Sequence, residues 1–170
     1  YLPSPTDKGA VIAHDPDDEE KTIQRQPSLN EPFSALAFKL INDPYVGQQT
    51  FIRIFSGKLS SGMSLYNVNK TKNERVGRIF RIKAKEREEI NEAGAGEIIA
   101  LVGMKYTRTG DTLCDEDHPV LLESIQVPPA VIEMKVNIED KKNRDKLGEA
   151  LAKLTNEDPS FHSHFDEETE

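Results

Sequence analysis

Between Ser34 and Cys114 the chain is a succession of short period-two segments, each stopped by a turn that usually carries glycine. No other feature restricts the fold as much, because alternation over a few residues is the mark of a half-buried strand. Leu36, Phe38 and Leu40 alternate with smaller or polar residues, and Asp43-Pro44 and Gly47 then mark a turn. Gln49 to Ser56 (QTFIRIFS) is rich in β-branched and aromatic residues and ends at Gly57. Gly62 precedes a strand over Met63 to Tyr66, Asn67 to Asn73 is a polar hairpin tip, and Glu74 to Lys83 returns as a long strand. Gly77 inside that strand reads as a bulge. Gly94-Ala95-Gly96 is a further turn, Glu97 to Val102 a further strand, and Gly110-Asp111 opens Thr112-Leu113-Cys114. Many short strands with almost no helical signal predict a mainly β fold, a closed antiparallel β-barrel.

The flanks follow different rules. Residues 1–30 read as a linker, interrupted by prolines 3, 5, 16 and 27 and by the acidic run Asp15-Pro16-Asp17-Asp18-Glu19-Glu20, with only Ala10 to Ala13 able to make a short strand. Pro128-Pro129 is a boundary. Beyond it Val131 to Ile138 alternates as a strand, and Leu147, Ala150, Leu151 and Leu154 fall at helical spacing. Asp140 or Asn143 is the expected N-cap, Asp158-Pro159 the stop, and Phe161 to Phe165 a second strand. A β-α-β unit needs further strands to cover its edges, so 128–170 is expected to be an incomplete α/β domain following a barrel over 31–127, in a module of a larger protein.

Composition removes several functions. No apolar run approaches the roughly 20 residues that cross a membrane, and there is no basic-then-apolar leader, so neither a membrane nor secretion is expected. Cys114, the only cysteine, excludes an internal disulfide and fits a reducing, cytoplasmic setting. The net charge is −8, yet residues 70–87 hold eight cations (Lys70, Lys72, Arg75, Arg78, Arg81, Lys83, Lys85 and Arg87) against Glu74 and Glu86. A polyanion could be met there alone. The competing reading is an edge strand protected from aggregation by Lys and Arg; composition does not separate the two.

Motifs of nucleotide chemistry fail on inspection. No GxxxxGK loop followed by Ser or Thr is present. Asn69-Lys70-Thr71-Lys72 lacks the carboxylate that would read guanine. Asp145-Lys146-Leu147-Gly148 lies within the helix, and no helix follows Gly94-Ala95-Gly96. His162, His164 and Asp166 share one strand face, a spacing compatible with a metal, but solvated strand residues are the better account. Glu88-Glu89 and Asp115-Glu116-Asp117 pair carboxylates that, on a strand, point to opposite faces. No catalytic, cofactor-binding or metal-binding residue is assigned, and no small-molecule substrate is expected.

Arg53-Ile54-Phe55-Ser56-Gly57-Lys58-Leu59-Ser60-Ser61-Gly62 resembles the signature that opens the second-domain β-barrel of translational GTPases. Val102-Gly103-Met104-Lys105 with Thr109-Gly110-Asp111-Thr112-Leu113 resembles the signature that closes it. Within that superfamily, Glu31 to Lys39, Glu74-Arg75-Val76-Gly77-Arg78, Asp158-Pro159-Ser160-Phe161 with Asp166 to Thr169, and Tyr1 to Pro5 are similar to bacterial elongation factor G. The resemblance implies domain II followed by the first part of a ferredoxin-like domain III. Arg53, Gly57, Gly62, Gly103, Gly110 and Asp111 are then signature positions of the barrel. It implies a barrel that packs on the parent's GTP-binding domain and contacts small-subunit ribosomal RNA while the factor moves tRNA and mRNA. The candidate contacts are Lys70, Lys72, Lys83, Lys85 and Arg87. GTP and Mg would belong to the parent, with no cofactor in this segment. The rivals are another ribosome-binding GTPase (a ribosomal protection or recycling paralogue) and a stand-alone protein-interaction barrel.

Overall fold

The glycine-punctuated segments form a barrel closed by one bent strand. A computed structural model of the chain describes residues 3–5, 7–43, 45–84, 86–123, 127, 130–136 and 143–164, and of Glu19 the backbone only. Among the described residues the strands are β1 (Val11–Asp15), β2 (Asp18–Arg25), β3 (Ser34–Asp43), β4 (Gly47–Ser56), β5 (Lys58–Ser60), β6 (Ser64–Asn67), β7 (Lys72–Arg75), β8 (Arg78–Lys83), β9 (Glu86–Ile90), β10 (Glu92–Gly94), β11 (Ile98–Val102) and β12 (Thr112–Cys114), followed by helix α1 (Arg144–Glu157).

The main sheet runs β7-β6-β12-β3-β4-β11-β8-β9, every pairing antiparallel. β7, at one end, and β8, next to the other, are separated in sequence only by Val76-Gly77. The expected long strand is therefore one run that pairs with β6 through its first half and with β11 through its second. Gly77 is the point of exchange rather than an ordinary bulge. A Cβ there would stand 2.4 Å from the carbonyl oxygen of Val102, so only glycine allows the two backbones to meet. β9 continues past the ring on β8, and β5 pairs with β10 across one mouth.

The interior is filled by Ile52, Ile54, Leu59, Leu65, Ile79, Ile99, Leu101 and Leu113, all fully buried. Ala35 and Ala37 are the β3 residues facing this core, while Leu36 faces outward. A bulge between Ala37 and Lys39 resets the strand so that Leu40 is buried again. Small residues inside and larger ones outside make sense because the outer face is also covered. Leu36, Phe55 and Tyr66 pack with Ala13, Val68, Cys114, Val120 and Leu122 in a second cluster.

That cover corrects the linker expectation. Residues 11–25 form a hairpin whose Val11 and Ile23 contribute to the second cluster and whose Ala13 is wholly buried. His14 and Leu121 exchange both backbone bonds at 2.8 Å, and the Arg25 guanidinium donates to the His118 carbonyl at 3.0 Å. Pro16 interrupts neither strand because it sits in the turn, where the amide of Asp17 donates to Asp15 and Lys21 pairs with the same carboxylate at 2.6 Å.

Helix α1 begins after Asn143 and ends at Asp158, as its caps predict, although the Asn143 side chain makes no capping bond. Leu147 and Leu151 are half-buried, Leu154 is 46% exposed, and no residue of α1 is fully buried. Val131 to Val136 forms no described pairing and exposes Val131, Ile132, Met134 and Val136, and Phe161 to His164 is likewise irregular. Alternation alone does not make a strand: without a neighbour to complete the ladder, backbone groups bond water instead. The remaining parts of both expected strands, and Asp140, lie outside the described residues. The architecture is thus mainly β, an antiparallel barrel followed by a partial α/β segment.

Candidate nucleic-acid interface

The eight cations of residues 70–87 are divided between two hairpins, and their neighbours differ. On β8 and β9 the charges are matched except at Arg78, which stacks its guanidinium 5.4 Å from the Phe80 ring centre. Lys83 lies 3.3 Å from Glu88, Arg81 lies 2.6 Å from Glu97 and 4.0 Å from Glu88, and Arg87 lies 2.8 Å from Asp43. The Arg87 guanidinium, followed by the amides of Tyr45 and Val46, holds the Asp43 carboxyl below its ordinary range. Lys85 lies outside the described residues. A cation already held by a carboxylate has less to offer a phosphate.

Lys70 and Lys72 are placed otherwise. The turn between β6 and β7 is fixed from below: the Lys70 amide donates to Asn67 Oδ1 at 3.0 Å, and Asn69 Oδ1 accepts the Thr112 amide at 2.8 Å. Lys72 Nζ stands 4.5 Å from the centre of the Tyr106 ring, a cation–π contact. Both lysines border a cleft of about 270 Å³, shared with Lys105, Tyr106, Arg108 and, from α1, Asn156. Among the described residues, Lys70, Lys72, Lys105 and Arg108 have no carboxylate partner within ion-pair distance.

Acidic groups stand close by, but backbone groups occupy them. Glu74 is 5% exposed; its Oε2 accepts the amides of Lys105 at 2.6 Å and Tyr106 at 2.9 Å, and its Oε1 accepts the Thr107 hydroxyl. Asp111, also 5% exposed, accepts the Arg108 amide at 2.9 Å and the Asn67 side-chain amide at 3.0 Å through Oδ2. Two buried carboxylates thus fix the 105–108 loop by its main chain and leave its long side chains to the cleft. The far wall is attached where Glu157 Oε1 accepts the Asn42 amide at 2.7 Å and Thr109 donates to the Glu157 carbonyl at 3.0 Å.

The sequence pattern singled out Lys70 and Lys72 but missed Lys105, Tyr106 and Arg108. They lie inside the stretch read as a closing signature, and only the pairing of β6 with β7 and β12 brings them to the hairpin. Of the signature positions, Arg53 stacks its guanidinium 5.3 Å from the Phe55 ring centre on β4. Gly57 adopts φ +76° against the backbone of Phe33, where a Cβ would stand 2.6 Å from Cα. Gly62, Gly103 and Gly110 occupy connections between strands. His164 lies 3.5 Å from Glu133, His162 is exposed, and Asp166 lies outside the described residues.

Comparison with known proteins now bears on this arrangement. The family model "Elongation factor G domain 2" matches residues 32–116, and "Elongation Factor G, domain III" matches residues 127–170. The chain belongs to the elongation factor G family. It is 49% identical over 169 residues to elongation factor G of Salinibacter ruber, covering 99% of this chain and 24% of that protein. A crystal structure from Thermus thermophilus is similar at a TM-score of 0.67 and 28% identity, over 81% of this chain and 21% of that one. The chain therefore spans about a quarter of the length of the factor it matches. The cleft lies between the elongation factor G barrel and the helix of the following domain segment, with residues from both sequence matches in its wall.

Proposed function

We propose that this segment is the non-catalytic body of a cytoplasmic translocation factor, with the barrel over 31–127 as domain II and 128–170 as part of domain III. In this reading GTP and Mg are bound and used by a separate GTP-binding domain on which the barrel packs. The barrel meets small-subunit ribosomal RNA while the factor moves tRNA and mRNA. The observation that carries the RNA contact is the set of unpaired cations around the cleft in a chain whose net charge is −8. An acidic surface repels a polyanion, and a cluster of unpaired cations offers it a place to land. Lys83 and Arg87, neutralised by Glu88 and Asp43, take a smaller part than composition implies.

The test is the salt dependence of small-subunit binding by the whole factor. Changing Lys70, Lys105 and Arg108 to Glu should weaken binding and reduce the slope of log affinity against log salt by roughly 0.7–0.9 for each phosphate no longer neutralised. The Lys83→Glu, Arg87→Glu pair should change it little. An unchanged slope in the triple variant would remove the cleft from the interface.

A further inference from the structure

We infer that the cleft between the barrel and α1 seats an unpaired nucleotide, its base stacked on Tyr106 and its flanking phosphates on Lys70, Lys105 and Arg108. This rests on the ribosomal-RNA reading above and narrows it from a phosphate-binding surface to a site for single-stranded RNA. An outer surface that follows a duplex needs cations alone, since paired bases offer it no ring face. Here an aromatic ring stands among the cations. Tyr106 is 49% exposed although its backbone is held by Glu74, so the ring is presented on a fixed loop. The Lys72 ammonium stands over one face, 4.5 Å from the ring centre. A base can take that place while the ammonium moves to a phosphate, exchanging one cation–π contact for stacking and an ion pair.

Size and polarity agree with one nucleotide. The volume of about 270 Å³ is at the lower edge of the roughly 300–1,000 Å³ usual for ligand sites, enough for a base and sugar and too small for a stacked run. Asn156, whose side-chain amide makes no hydrogen bond among the described residues, closes the wall from α1 and can meet a base edge with both a donor and an acceptor. Glu157, docked on Asn42 and Thr109, attaches that wall to the barrel. Occupancy would therefore tie the barrel to the helix.

The test uses the 170-residue chain with two fluorescent probes, an eight-nucleotide single-stranded RNA and an RNA duplex with the same number of phosphates. The single strand should bind more tightly. Tyr106→Ala should weaken single-strand binding by about tenfold without changing its salt slope, with Tyr106→Phe near wild type and duplex binding unaffected. Arg108→Gln should lower the salt slope for both probes. Equal effects of Tyr106→Ala on both probes, no effect on either, or equal loss in Tyr106→Phe would overturn the stacked nucleotide. A lower slope in Arg108→Gln would in those cases leave the phosphate reading standing. Competition by polyglutamate as strong as by RNA would make the cleft a carboxylate site and sink both.

Discussion

Glu74 shows how far a residue's role can lie from its sequence neighbourhood. In the sequence it is an acidic interruption in a basic run; in the fold it is buried and accepts two amides and a hydroxyl from a loop about thirty residues away. Nothing local announces this, because the partners are chiefly backbone groups that every residue possesses. Glu74→Ala leaves those donors without their acceptor and should cost about 2 kcal/mol, measured by urea unfolding. Glu74→Gln keeps an acceptor oxygen and should cost less. Glu74→Ala should also weaken single-strand binding, because Tyr106 and Lys105 lose the anchor that presents them, and Glu74→Gln should weaken it less. An Ala variant as stable as wild type would mean that water replaces the carboxylate at no cost. Cys114 lies at the other extreme: its place at the end of a short apolar strand already indicated burial, and in the fold that burial pushes its thiol pKa upward.

At the scale of elements, alternation located the strands that have one face in the core: β4, β6, β11 and β12 lie within two residues of expectation at each end. Where it failed, two segments show different reasons. Strand β9 (EREEI) is exposed along nearly its whole length, so it has no apolar period to read and exists because β8 offers it a ladder. Val131 to Val136 has the period but no described partner. The β9 hairpin is held to the tip of β3 and β4 through Arg87 and Asp43, which gives it a pH signature. The folded pKa of Asp43 is lowered from its ordinary 3.8, so the clamp's contribution is fully present above the unfolded value and is lost as pH falls through the folded one. NMR titration should place the Asp43 midpoint below 3.8, and Arg87→Gln should raise it. A midpoint unmoved by Arg87→Gln would show that the Tyr45 and Val46 amides alone set it.

For the whole molecule, the two flanks of the barrel should behave oppositely when removed. The N-terminal hairpin covers Val120, Leu122 and Cys114 and exchanges two backbone bonds with Leu121. Deleting residues 1–25 strips apolar surface from the second cluster, at roughly 25 cal/mol for each Å² exposed, and should lower the melting temperature by several degrees. The C-terminal segment buries no residue of α1 fully, and its described attachment to the barrel runs chiefly through hydrogen bonds to Glu157. Limited proteolysis should therefore cut first among residues 130–136, which are exposed and lie in no described strand, before it reaches the hairpin. Truncation after Val127 should leave the barrel's melting temperature nearly unchanged. The same truncation removes Asn156 and one wall of the cleft, so it should weaken single-strand RNA binding while sparing most of the salt slope, which Lys70, Lys105 and Arg108 carry from the barrel. Stability and binding would then part in one variant. If that variant instead unfolds, barrel and helix share one core and the boundary at 127 is misplaced; if it stays folded with wild-type affinity for the single strand, the helix is no part of the site.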